Sequence, residues 1–360
     1  MTPLPENSAS GGKDVTPSTP YTGEPGGHVG PLSSQETPGA EDVPVEPRWL
    51  LPQSRLNSSR FRCFIALLTL VLFIVIIVNL GPAEQTSNHP KSKIKHFASL
   101  GSSFAAGPGI PPQVNPRAAG RSGHNYGALL AAHLGDVTFT DLSVSGATLL
   151  NLITQPQLTS GHVFAPQVYD LPADVDLVLV LGGGNDLDYI GGLMRDHGAV
   201  VDSWGFWDNN GEWVSGPKTV ALGSADALAR RYETVLDAVH TAAPQAIVLV
   251  IEYLTLLGQH FQPGQHAPFG YSRAAYHMET AEMLHNGTLQ AVQGREAWCH
   301  VVEVARLSEA HGIGSPEPWV TDFRGISIRA GDVPYHPNLA GMKAVESMLF
   351  HKLVQLDLIA

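Results

Sequence analysis

The stretch Ser99-Leu100-Gly101-Ser102-Ser103-Phe104-Ala105-Ala106-Gly107-Pro108-Gly109 decides how the rest of the chain is read. The residues leading into it, 94–100, predict a short strand, and the small residues and glycines that follow let the backbone bend sharply. A hydroxyl is thereby presented at the strand's C-terminal end, the edge at which open α/β sheets bind their ligands. Such a Ser/Gly/Ala cluster is also an ordinary turn, so its chemistry depends on what other stretches supply.

Working outward, residues 137–142, 175–181, 246–253 and 298–304 are short runs rich in Val, Ile and Leu, the pattern of strands buried on both faces. Between them, 125–134, 225–242 and 273–292 carry apolar residues at helical spacing, and Ser224 is placed to cap the second of these helices. A last helix over 339–356 aligns Met342, Val345, Leu349 and Leu353 on one face. This β-α alternation predicts an α/β fold: a three-layer α/β/α domain with a parallel sheet of about five strands, flavodoxin-like in plan, over 94–360.

The chain has 360 residues, 43% hydrophobic and 15% charged, enough for one large domain with appendages. Its formal charge of -12 argues against a nucleic-acid partner, because phosphate binding needs a basic face. Cys63 and Cys299 are the only cysteines, and the first lies in an apolar run, which excludes a stabilising disulfide framework. His260, His266 and His277 share one loop-rich stretch, but their spacing fits no common zinc pattern and they read as scattered surface histidines. No metal and no organic cofactor is implied.

Residues 1–47 are rich in Pro, Gly, Ser and Thr and nearly free of large apolar side chains, which predicts a disordered tail. After a basic juxtamembrane segment, 48–62, comes an apolar run over 63–80 broken only by Thr69 and Asn79. Its length as a helix is about 27 Å, close to a bilayer core, so it predicts one transmembrane helix. The long preceding tail, and the lack of an A-x-A-like site before Gly81-Pro82, favour an uncleaved anchor over a signal peptide. Arg48, Arg55, Arg60 and Arg62 precede the run and Lys91, Lys93 and Lys95 follow it at greater distance. That bias predicts a cytosolic N-terminus and a lumenal or extracellular domain. Residues 81–93 form a polar stalk. Asn286-Gly287-Thr288 is a glycosylation sequon compatible with that placement, whereas Asn57-Ser58-Ser59 would stay unmodified.

Four blocks now stand in order: Leu100-Gly101-Ser102-Ser103-Phe104, Ser145-Gly146-Ala147-Thr148, Gly183-Gly184-Asn185-Asp186 and His336-Pro337-Asn338. In that order, from about Lys95 to the C-terminus, the chain resembles the SGNH, or GDSL-type, hydrolases, close to their secreted microbial esterase and lipase branch. The resemblance implies Ser103 as nucleophile and His336 as its base. It implies an oxyanion hole from the backbone N–H groups of Ser103 and Gly146 and the side-chain amide of Asn185. From the residues alone, Gly146 also fits a tight turn, Asn185 a turn or helix cap with Asp186 serving as such a cap, and Asn338 the cap of the last helix. A nucleotide-binding reading of the glycines fails, since Leu187 stands where the dinucleotide fingerprint expects Gly or Ala and no P-loop lysine follows.

Two positions depart from the family pattern. The first block usually reads Gly-Asp-Ser, whereas this chain has Gly101-Ser102-Ser103, and register selects Ser103. The triad's third member usually precedes the histidine by three; that place holds Val333, with Asp332 one further back. Either Asp332 reaches the imidazole through a bulged segment or a backbone carbonyl orients the ring. Residues 204–213 hold Trp204, Phe206, Trp207 and Trp213 without a clear period, and line a cleft or form a satellite core. The resulting expectation is a membrane-tethered serine esterase acting through an acyl-enzyme on a lipid ester or an O-acyl carbohydrate. The alternative is a catalytically silent module of the same fold that binds a glycan or lipid.

Overall fold

A computed structural model describes residues 66–70, 89–196, 205–207, 213–215, 221–322 and 333–360. The chain divides into two units, Met1–Ala83 and Glu84–Ala360. In the first, residues 66–70 are helical and the remainder, including the tail at 1–47 and the basic segment at 48–62, lies outside the described residues. Most of the predicted membrane segment, 63–80, lies outside them too. Among the described residues no helix is long and apolar enough to cross a membrane.

In the second unit, the apolar runs form one parallel sheet. Its strands are β1 (His96–Gly101), β2 (Thr138–Asp141), β5 (Leu177–Leu181), β8 (Ile247–Ile251) and β9 (Cys299–Val302), in the order β2-β1-β5-β8-β9. Reading only these five strands, the order is 2-1-3-4-5, the doubly wound plan that reverses direction between the first and third strands. The switch point therefore lies between β1 and β5, which pair in parallel from Phe97 opposite Leu177 to Gly101 opposite Leu181. All five residues of β5 are buried, as a central strand covered on both faces requires.

The edge strand β2 departs from the expectation of burial on both faces. Thr138 is exposed and the rest of β2 only half-buried, because a single neighbour flanks it. Right-handed crossovers on either side of the switch point place helices on both faces of the sheet. On one side α2 (Tyr126–Leu134) packs against α8 (Leu339–Gln355); on the other α5 (Ala225–Ala242) packs against α6 (Tyr271–Val292). Capping follows the sequence: Asn125, Ser224 and Asn338 accept the N–H groups of Ala128, Ala227 and Gly341. Met342, Val345, Leu349 and Leu353 form the buried stripe of α8.

Several shorter elements complete the domain. They are α1 (Ser103–Ala106), α3 (Leu149–Ile153), α4 (Tyr189–Asp196), α7 (Val304–Leu307), and the antiparallel hairpin of β3 (Gln157–Thr159) and β4 (His162–Phe164). Within the aromatic segment predicted to lack a period, β6 (Gly205–Trp207) and β7 (Trp213–Ser215) pair as a short antiparallel ribbon. The ordered domain also begins before residue 94. Lys93 donates its N–H to Leu358 O at 2.9 Å, Ala360 donates to Lys91 O at 3.0 Å, and Ser92 bridges Ile359. The end of the expected stalk is thus a strand-like part of the fold.

Candidate active site

The first block sits at the C-terminal end of β1, beside the switch point. Gly101 is clamped by Gln167, whose Oε1 accepts the Gly101 N–H at 2.8 Å while its Nε2 donates to the Gly101 carbonyl at 3.0 Å. A Cβ on Gly101 would collide with the carbonyl oxygen of Leu181 on the neighbouring strand, so this position requires glycine. The Ser102 N–H then bonds Leu181 O at 3.1 Å, and the chain turns into α1.

The two candidate serines part company here. Ser102 is fully buried and its Oγ lies 2.9 Å from the Tyr253 hydroxyl, which also accepts the Gly184 N–H at 3.2 Å. Ser103 Oγ instead lies 2.8 Å from His336 Nε2, across 233 residues of sequence. Ser103, and not Ser102, is the hydroxyl that meets the imidazole.

His336 is held by the loop ahead of α8. Tyr335 N–H bonds Thr321 O and Thr321 N–H bonds His336 O, while Val320 bridges Pro337, so residues 320–321 pair antiparallel with 335–337 and fix the histidine's backbone. Tyr335 takes a left-handed backbone, φ 58°, a conformation that a bulky residue keeps only when its surroundings over-determine it. The His336 Nδ1 lies 2.8 Å from the carbonyl of Pro334. A carbonyl only accepts, so the neutral ring carries its proton on Nδ1 and leaves Nε2 bare to receive the Ser103 hydroxyl proton. Burial drives the imidazole pKa down to about 4, and the Pro334 carbonyl opposes that shift. Asp332 lies outside the described residues.

The donors expected around an oxyanion gather at the same edge. Val144 N–H bonds Gly101 O at 3.0 Å, tying the turn that carries Gly146 to the end of β1. Asn185 spends one amide N–H on Ala147 O at 2.8 Å, and its second has no acceptor among the described residues. Among the described residues the backbone N–H groups of Ser103 and Gly146 donate to no other group. A hydroxyl, a base aimed at it and three uncommitted N–H donors are what acyl transfer needs.

Asp186 is fully buried and caps a helix other than its own. Its carboxylate accepts the Leu149 N–H at the start of α3 at 2.9 Å and pairs with Arg231 at 2.8 Å; burial raises its pKa against those partners. The sequon residue Asn286 lies inside α6, its amide bonded to Glu282, while the sequon's Thr288 is buried against Leu284 O. His277 corrects the expectation of surface histidines. It is 1% exposed, with Nε2 2.7 Å from Asp196, because it faces inward from α6 onto α4 and Phe269. Among the described residues no cluster of three or more His, Cys, Asp or Glu side chains is arranged to hold a metal ion.

The sequence profile of the GDSL-like lipase/acylhydrolase family matches residues 99–344, more than half of the chain. The chain belongs to this family. As a GDSL-like hydrolase it is a carboxylic ester hydrolase. Its fold resembles the extracellular lipase of Streptomyces rimosus, with a TM-score of 0.52 and 18% identity over 71% of this chain and 99% of that one. It also resembles the phospholipase A1 of Streptomyces albidoflavus, with a TM-score of 0.54 and 18% identity over 72% of this chain and 99% of the other. No curated protein matches the chain by sequence.

Three residues of this GDSL-like site are not singled out by the sequence. Gln167 and Tyr253 act on the first block from 66 and 151 residues away, and neither belongs to a motif. Pro334 contributes a carbonyl, which every residue possesses, so its side chain carries no signal. The one available hint is the backbone-carbonyl alternative raised by the absence of a carboxylate at position 333.

Proposed function

We propose that this protein is a serine esterase in which Ser103 attacks the ester carbonyl and forms an acyl-enzyme. As the Oγ–C bond forms, the hydroxyl proton passes to His336 Nε2. The carbonyl electron pair moves onto oxygen, facing the N–H groups of Ser103 and Gly146 and the free N–H of Asn185. Collapse expels the alcohol, which takes the proton from Nε2; water then repeats the sequence and releases the acid. The Pro334 carbonyl holds the ring in its reactive tautomer. The 2.8 Å contact between Ser103 Oγ and His336 Nε2 carries this reading.

The substrate is an ester of a lipid or an O-acyl group on a carbohydrate, and the apolar run 63–80 tethers the domain to a membrane with the N-terminus cytosolic. The run's length and its arginine-rich N-terminal flank support the tether. The silent binding module gains no support from the site, since binding alone does not call for a hydroxyl paired to a buried base. Short and long p-nitrophenyl esters, with wild type and Ser103→Ala, test the proposal. Hydrolysis abolished by Ser103→Ala, with fluorophosphonate labelling of wild type only, is the expected result. Preference for long chains identifies a lipase, and preference for acetyl a deacetylase. Protease protection of the C-terminal domain in sealed vesicles tests the topology.

A further inference from the structure

The turn that carries Gly146 is gripped from behind by a side chain the mechanism above leaves unused. Ala147 N–H bonds Val144 O at 3.1 Å, Gly146 has φ 82°, and Ser145 has no positive φ. These features define a type II turn with Ser145 and Gly146 at its central positions. A type I turn of the same four residues differs mainly by rotation of the central peptide through about 180°. Glycine tolerates either form, so Gly146 does not choose between them. The central peptide here contains the Ser145 carbonyl and the Gly146 N–H, which in a trans peptide point in opposite directions.

Gln157, at the start of β3, donates from Nε2 to that Ser145 carbonyl at 2.7 Å. The carbonyl can only accept, which fixes the orientation of the glutamine amide. The other end of the amide, Oε1, is buried and has no hydrogen-bond partner among the described residues. Burying an acceptor unpaired is unfavourable, so this placement calls for a reason beyond stability. Gln157 is itself anchored, since β3 pairs it with Phe164 of β4.

We infer that Gln157 is a positioning residue for the oxyanion hole, holding the Ser145–Gly146 peptide in the orientation that directs the Gly146 N–H away from the hairpin and leaves it free for substrate. A hydrogen bond onto the carbonyl also polarises the peptide and strengthens its N–H as a donor. The inference rests on the proposed function and adds to it a residue outside the four family blocks.

The test compares Gln157→Met, which keeps the length and loses the donor, with Gln157→Lys, which restores a donor, and Leu158→Ala as a control in the same hairpin. The effect should be smaller than deletion of an oxyanion donor, which costs about 10²–10³ in kcat. For Gln157→Met, kcat falls about 10- to 100-fold with KM within about twofold, and an aryl boronic acid, whose adduct on Ser103 is tetrahedral and anionic, binds more weakly by a similar factor. Gln157→Lys recovers part of both, and Leu158→Ala matches wild type. Unchanged kcat in Gln157→Met, or an equal fall in Leu158→Ala, overturns the inference. Wild-type turnover in Ser103→Ala overturns the nucleophile assignment instead, so the two failures are distinguishable.

Discussion

The surroundings of His336 set how the chemistry responds to acid. In the proposed mechanism His336 must be neutral to accept the Ser103 proton, and burial keeps this ring neutral down to about pH 4. The acid limb of kcat/KM is therefore expected near pH 4, well below the ordinary imidazole value of 6.5; a titration of kcat/KM from pH 3.5 to 8 checks it. The same shift bears on stability. Below about pH 6.5 the unfolded chain binds a proton that the folded ring refuses, so stability present above that value is lost as pH falls toward 4. At about 1.4 kcal/mol per unit the loss reaches about 3 kcal/mol. Urea unfolding of wild type and His336→Leu should show that component in wild type alone. The four family blocks were legible because each is a short linear pattern at a strand end. Gln157, Gln167 and Tyr253 were not, because each works through a single contact with a distant backbone or hydroxyl group.

Among the elements, the β1 terminus is the least tolerant. Gly101→Ala forces a Cβ into Leu181 O, and the strand or the turn must move. A loss of about 1–3 kcal/mol in urea unfolding is expected, with kcat/KM lowered about 100-fold because misplacement by about 1 Å at a reacting group has that effect. Asp186 joins α3 to α5 through Leu149 and Arg231. Asp186→Ala leaves a helix N–H without its acceptor and a guanidinium without its carboxylate, and should cost about 3 kcal/mol in the same measurement. Periodicity revealed the long helices and the central strands because their buried faces repeat over many residues. It missed α3, α4 and the β3–β4 hairpin, which span too few residues for a repeat to register. It also overstated the burial of β2, since an apolar run does not disclose that its strand lies at an edge.

At the scale of the molecule, the order β2-β1-β5-β8-β9 brings residues 103, 146 and 185 to the C-terminal end of the sheet, where 336 meets 103, so the site belongs to the topology more than to any single element. The pairing of residues 91–93 with 358–360 adds a margin to that arrangement. A chain truncated to begin at 84 should keep it, whereas one beginning at 94 loses two backbone hydrogen bonds, Lys93 N to Leu358 O and Ala360 N to Lys91 O. At about 0.5–1.5 kcal/mol each, the difference is about 1–3 kcal/mol, read as a lower melting temperature for the shorter chain. The antiparallel bridge between Ser92 and Ile359 also means that the two ends of the hydrolase lie side by side. A short Gly/Ser splice could close the polypeptide into a ring and let it be reopened at a surface loop such as that at Gly294, where a side chain would meet nothing within 4 Å. Such a rewired enzyme would carry the same crevice on a chain read from a different starting point.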